Sequence, residues 1–308
     1  VTRDLTRQSS GSFIDLLCFD DLDAWMDLDR VKRSEVPGWP GKSRRHNDGY
    51  EPDKWENQTG EWASGGDDIE TCRRYWKDGY MADDIERLAE GIAAKAEGRV
   101  TKRTRRRRYG VVGELDGDRW ANGDYETAWV DRPRNGDGLS PIVNIVFAYG
   151  ANASKTAEHL KWSGIAGAAL AKALEDAGWR VGLYANIAMY HGGSKLDKQV
   201  SSFLIPVKNP EEMLRPGQVG ALFAHPASFR IRAFRAMGGL AIEDPGSILG
   251  YCRGWNQGGH SEALKSAIGN KLGGNTIFVM PAFSADEAQD VVNDALAKVT
   301  NPLHAEAS

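Results

Sequence analysis

IVNIVFAYGANASKTAEHLKWSGIAGAALAKALEDAGWRVGLYANI, residues 142–187, decides the fold. Its opening, IVNIVFA (142–148), is a mostly apolar, β-branched run of the kind that forms a buried strand. A short polar turn follows. Ser154 then stands where it can cap a long helix, SKTAEHLKWSGIAGAALAKALEDAG, and Gly178 closes that helix. RVGLYANI (180–187) has strand character again. Strand, helix and strand in this order make a βαβ unit, whose two strands run parallel. Gly164, Gly167, Ala168 and Ala169 fall on neighbouring turns of the helix. Small residues there either let the helix lie close on a sheet or simply belong to an Ala-rich helix.

Downstream, SSFLIPV (201–207) and QVGALFA (218–224) read as further strands. TIFVMPAF (276–283) is a strand, and SADEAQDVVNDALAKV (284–299) is a helix opened by Ser284 and Glu287. That pair is a capping box, in which hydroxyl and carboxylate each take an orphan backbone N–H. The expected architecture of residues 99–308 is an α/β, Rossmann-like three-layer sandwich.

Upstream the rhythm differs. Residues 1–20 read as an arm ending in FIDLLCF, followed by a short helix in DDLDAWMDLDR. Residues 34–66, rich in Pro, Gly, Asn and Trp, show neither helical nor strand period and read as a loop held by its Trp rings. Two short helices follow. Ile69, Cys72 and Trp76 share one face of the first, which Gly79 stops; Ile85, Leu88, Ile92 and Ala96 form the stripe of the second, which Gly98 ends. Charge changes sign along the chain: 14 basic and 22 acidic residues precede position 99, and 25 basic and 21 acidic residues follow. The break falls at RVTKRTRRRR (99–108), where seven of ten residues are basic. It divides the chain into an acidic, Trp-rich region with short helices (1–98) and an α/β domain opened by a basic run (99–308).

The composition bounds the function. With 308 residues, 41% hydrophobic and 27% charged, the chain can bury its own core. A net charge of −4 does not mark a nucleic-acid binder by itself. Three widely spaced cysteines, Cys18, Cys72 and Cys252, form no C-x-x-C pair and read as free buried thiols of a reducing compartment. The polar start VTRDLTRQSSGSF lacks a signal-peptide core, and no run reaches the roughly 20 apolar residues of a membrane helix. The expected location is the cytoplasm of a host cell, with no membrane partner.

Catalytic signatures are sparse. VPGWPGKS (36–43) approaches a phosphate-binding loop, but Val36 replaces its first Gly, and Pro37 and Pro40 lack the N–H groups that would cradle phosphate. No G-x-G-x-x-G follows strand 142–148, and neither G-x-S-x-G nor H-E-x-x-H occurs. The six histidines are scattered. Glu243 and Asp244 are adjacent, so in extended chain they point to opposite faces and make a weak dyad.

Ligands of open α/β sheets bind outside the carboxyl ends of strands, which singles out the turn after residue 148. Asn152 and Ser154 there carry oxygens that could touch magnesium, but the turn has no carboxylate to supply the main charge. The basic run, with Arg103, Arg105, Arg106, Arg107 and Arg108, could neutralise phosphates while Trp120 or Trp129 stacks on bases. It could equally dock on the acidic N-terminal region or on a partner.

The stretch 143–185 resembles the opening of a von Willebrand factor A-type domain. That family places D-x-S-x-S at the end of its first strand to bind magnesium. The frames here read Tyr149-Gly-Ala151-Asn-Ala153 or Ala148-Tyr-Gly150-Ala-Asn152, and neither keeps the Asp, so the resemblance implies a degraded metal site. The order of segments is also similar to an uncharacterised group of tailed-bacteriophage proteins. The shared features are the Trp-rich front from Trp62 to Gly79, GELDGDRWANG (113–123), the Rossmannoid half, and HPASFR (225–230). That similarity implies a phage or prophage origin and no known reaction. The expected function is therefore a non-enzymatic binding or assembly protein with no cofactor. Its partner would be another protein, within a transcription or replication nucleoprotein complex. The alternatives are direct DNA or RNA binding through the basic run, or a cryptic metal-dependent enzyme with carboxylates from Asp131, Glu243 or Asp244.

Overall fold

A computed structural model describes residues 1–7, 13–26, 60–96, 108–110, 114–115, 120–121, 129–131, 141–150, 155–191, 199–233, 235–236 and 259–300. The chain starts with two antiparallel strands, β1 (Thr2–Arg7) and β2 (Phe13–Cys18). Among the described residues four helices follow: α1 (Leu22–Met26), α2 (Glu61–Ser64), α3 (Ile69–Asp78) and α4 (Ala82–Ala96). Three short strands, β3 (Arg108–Gly110), β4 (Glu114–Leu115) and β5 (Trp129–Asp131), form a small sheet in the order β3-β5-β4.

The expected βαβ unit is present as β6 (Ile142–Ala148), α5 (Ala157–Asp176) and β7 (Arg180–His191), with β6 and β7 parallel. β8 (Gln199–Lys208) returns antiparallel to β7. After it come α6 (Pro216–Val219), two π-helical turns (Gly220–Ala224 and Ser228–Ala233), α7 (Gly259–Leu272), β9 (Asn275–Val279) and α8 (Ala285–Thr300). The main sheet has the order β1-β2-β8-β7-β6-β9, and β6 is flanked on both sides by parallel neighbours.

Alternation along the strands sorts side chains to two faces. Val143, Ile145 and Phe147 join a large core with residues of α3, α4, α5 and α8, while Val146 and Ala148 join a smaller one with Leu264 and Ile268 of α7. Helices thus cover both faces of a mixed sheet. The small residues of α5 are a packing device: a Cβ on Gly167 would touch Phe147 and Leu183 of the sheet, and one on Gly164 would lie 2.7 Å from the Phe223 Cβ.

Three expectations change. Residues 1–20 are not an arm: β1 and β2 complete the sheet, with β2 parallel to β8. Asp15 and Arg3, both buried, lie 2.9 Å apart inside this addition. Residues 218–224 are helical, not a strand. A short apolar run suits either state, and here Gly220 approaches the Tyr80 carbonyl so closely that a Cβ would collide with it. The cap of the long helix is Thr156, which exchanges hydrogen bonds with His159. Residues on both sides of position 99 share one core: Trp25, Cys72, Trp76 and Ile85 pack in the same cluster as Ile165 and Leu183.

The remaining elements follow their sequence signals. Asp68 caps α3 by accepting from Thr71 N at 2.7 Å, and Gly79 ends it at φ 100°. Ser284 Oγ accepts from Glu287 N, and Glu287 accepts from Phe283 N. Cys18 and Cys72 are free and buried, and burial raises their pKa values to about 11 and about 12, so neither is a thiolate nucleophile at neutral pH. Cys252 and Gly98 lie outside the described residues. Among the described residues, no helix is long and apolar enough to cross a membrane.

Candidate functional site at the crest of the sheet

β6 ends at Ala148, and the next residues build the crest. Tyr149 N donates to Asn186 O at 2.7 Å, which fixes the exit of the chain. The Tyr149 ring is buried edge-on against Phe223 and Phe229, and its hydroxyl donates to Leu222 O. Gly150 takes φ 153°, a value that L side chains rarely adopt. Past the turn, Lys155 holds its ammonium 4.4 Å from the centre of the Phe283 ring, and Ser163 ties α5 to Ala282 through both N–H and C=O. The segment after β9 therefore borders the same crest.

Arg230, on the second π-helical turn, reaches this place from beneath. It is 2% exposed. Nη1 donates to Trp62 O at 2.5 Å, and Nη2 donates to Lys155 O. Its guanidinium lies 4.5 Å from the centre of the Trp62 ring, and that ring remains 39% exposed. Burial lowers the pKa of Arg230, which Tyr149 partly offsets. Two cations, Lys155 and Arg230, meet at the described end of the turn.

A second cluster anchors the Trp-rich front. The Arg232 guanidinium stacks 3.6 Å from the centre of the Trp76 ring, and Trp76 Nε1 donates to Ser228 Oγ at 2.9 Å. His225 is buried between Tyr75 and Tyr80, with Nε2 3.2 Å from Asp67 Oδ2, while Nδ1 accepts from Ala227 N at 3.3 Å. Only the neutral tautomer with its proton on Nε2 satisfies both contacts. It is a structural histidine with both ring nitrogens engaged, so it has no lone pair left for general-base work.

The geometry sets a pH dependence. Burial lowers the His225 pKa below its ordinary 6.5, against the raising effect of Asp67. The unfolded chain then binds more protons than the folded one, so His225 costs stability as pH falls from about 6.5 through the folded-state value. Urea unfolding at pH 8 and pH 5 should show the wild type losing stability more steeply than His225→Gln, by at most about 1.4 kcal/mol per pH unit. Equal slopes would show that His225 titrates normally.

The residues singled out from sequence fare unevenly. Arg103, Arg105, Arg106, Arg107, Asn152, Ser154, Glu243 and Asp244 lie outside the described residues. So do the phosphate-loop near-match at 36–43 and most of the basic run. Arg108 lies in the edge strand β3, in register with Asp131 of β5, and Trp129 is in register with Gly110 and Leu115. Trp120 is 45% exposed. Among the described residues, no three His, Cys, Asp or Glu side chains are grouped to hold a metal ion. Sequence reading missed Arg230, Arg232 and His225. The signal was available: three basic residues inside the otherwise apolar stretch 219–233 must bury charge or polarity, and buried cations need carbonyls or aromatic faces.

A family model described as a domain of unknown function, DUF7192, matches residues 15–298. The chain belongs to the DUF7192 family. No curated protein and no solved structure matches it. The DUF7192 match runs from β2 to α8, so the family unit includes both the Trp-rich front and the sheet it is pinned to.

Proposed function

We propose that this chain is a non-enzymatic recognition or assembly protein of bacteriophage type. Its core is von Willebrand A-like, and its crest binds an acidic face of a partner protein. The observation that carries this reading is the half-exposed Trp62 ring stacked on buried Arg230 beside the turn after β6. Trp and Arg in a fixed, partly desolvated arrangement are the residue types that dominate protein interfaces. Lys155 adds a second cation at the same place. Support for the von Willebrand A-like core is β6, followed by the long helix α5 and flanked by parallel β7 and β9. The cationic flanks suit an acidic protein surface better than magnesium, which needs carboxylates.

Affinity purification of the full chain from a bacterial host, with and without nuclease, tests the proposal. The expected result is one protein partner in both arms, reduced about tenfold by Trp62→Ala or Lys155→Glu. Loss of the partner on nuclease treatment, or turnover of a nucleotide by the purified chain, would overturn it. Exposed Trp120 and the edge position of Arg108 favour a second reading, direct DNA or RNA binding. That reading requires affinity that falls with salt and with Trp120→Ala.

A further inference from the structure

A cleft of about 320 Å³ lies between α4, α5 and the chain leading into α6, and Glu86, Glu90, Glu175, Glu212, Met213 and Leu214 are among its lining residues. It is far from the crest. α5 starts beside the crest and is about 30 Å long at 1.5 Å per residue, and Glu175 stands in its last turn.

The cleft combines an apolar interior with an acidic rim. Buried Ala89 and Ala168 and partly buried Leu214 supply the floor, and Met213 stands 87% exposed at the edge. Four carboxylates surround it. Lys208, itself buried, lies 2.7 Å from Glu175, Lys172 of the lining lies 4.0 Å from Glu90 and 3.7 Å from Asp176, and Arg215 and Lys208 both act on Glu212, so Glu86 and the shared charge of Asp176 make up the surplus of acid. Glu212 is held ionised by the backbone N–H and side-chain amide of Asn209, which lower its pKa. An exposed methionine beside apolar floor residues offers adaptable contact to an aliphatic side chain. The surplus negative charge selects a cationic neighbour and repels an acidic one.

We infer that this cleft is a docking groove for a Lys/Arg-rich segment of a partner protein, with one aliphatic side chain of that segment seated beside Met213. The inference rests on the recognition reading but uses the other end of the molecule. A chain with an acid-seeking crest and a base-seeking cleft can bridge two different proteins, which is what an assembly factor must do.

The test titrates the full chain into a short fluorescent peptide of alternating Lys and Leu, with a Glu/Leu peptide as control. The expected result is saturable binding of the Lys/Leu peptide alone. Glu86→Lys with Glu90→Lys, both at exposed positions of α4, should weaken it about tenfold or more. Met213→Ala should weaken it severalfold, and Trp62→Ala at the crest should leave it unchanged. If the charge reversal disturbs folding, as read by circular dichroism, Met213→Ala alone decides. Absent binding, or binding indifferent to the cleft variants, overturns the inference. Self-association of the chain that the peptide competes away also overturns it, because a second copy is then the occupant. Loss of crest-dependent partner capture with the peptide result intact would reject the crest alone.

Discussion

Replacing Asp15 with Ala should destabilise the protein by about 3–5 kcal/mol, because it leaves the Arg3 guanidinium buried without its counter-charge. The two side chains are 1% and 0% exposed and 2.9 Å apart. They sit between β1 and β2, the strands that extend the sheet beyond β8. Burial lowers the Arg3 pKa while Asp15 raises it, so the carboxylate offsets part of the cost of burying the guanidinium. Changing both residues to Leu should recover most of the loss, since apolar replacement of a buried pair is often neutral or better. Urea unfolding with an unchanged slope checks both numbers. A loss under about 1 kcal/mol for Asp15→Ala is the value expected of a surface pair, and would place the first twenty residues outside the cooperative core.

Trp76→Ala should cost about 3–5 kcal/mol, the usual penalty for truncating a buried Trp. Its ring is 3% exposed, packs in the main core, carries the Arg232 guanidinium on its face and donates to Ser228. The second π-helical turn holds both Arg230 and Arg232, so the loss should spread to the crest. Hydrogen exchange should show residues 61–78 and 228–233 opening together in this variant. Independent opening would mean that the Trp-rich front and the sheet are separate cooperative units.

Much of the sheet was legible because its central signals are local. A β-branched run, a helix with small residues on one side and a second such run specify β6, α5 and β7 without reference to anything distant. The hairpin was not legible, because Leu5 is the one apolar residue of TRDLTR and no alternation marks it as a strand. Its reason for being buried, the Arg3–Asp15 contact, joins residues twelve apart that sequence cannot pair. Residues 218–224 illustrate the opposite failure: an apolar run was present, but its state was decided by the approach of Tyr80, more than a hundred residues away. The turn after β6 was identified from the strand–helix pattern alone. Its flanking charge was not, because Arg230 arrives from a distant segment and stacks on a Trp whose partner the sequence does not indicate.

That charge also gives the fold a coherent division of labour. The π-helical turns are wider and costlier than α-helix, and such irregular turns concentrate at functional positions. Here the second turn delivers Arg230 to the crest and Arg232 to Trp76, and His225, just past the end of the first, meets Asp67. Residues 61–78 are thereby tied to the π-helical turns, and the Trp62 carbonyl and ring both contact Arg230. Pre-organisation of this kind lowers the ordering cost of binding.

The most direct measurement is site-specific photocrosslinking in bacterial cells that express the chain, with the reactive residue placed at position 62 in one variant and at position 120 in another. The account predicts that position 62 traps a discrete protein whose yield survives nuclease and falls when Lys155 is changed to Glu. Trapping only at position 120, with a product that nuclease destroys, would contradict it.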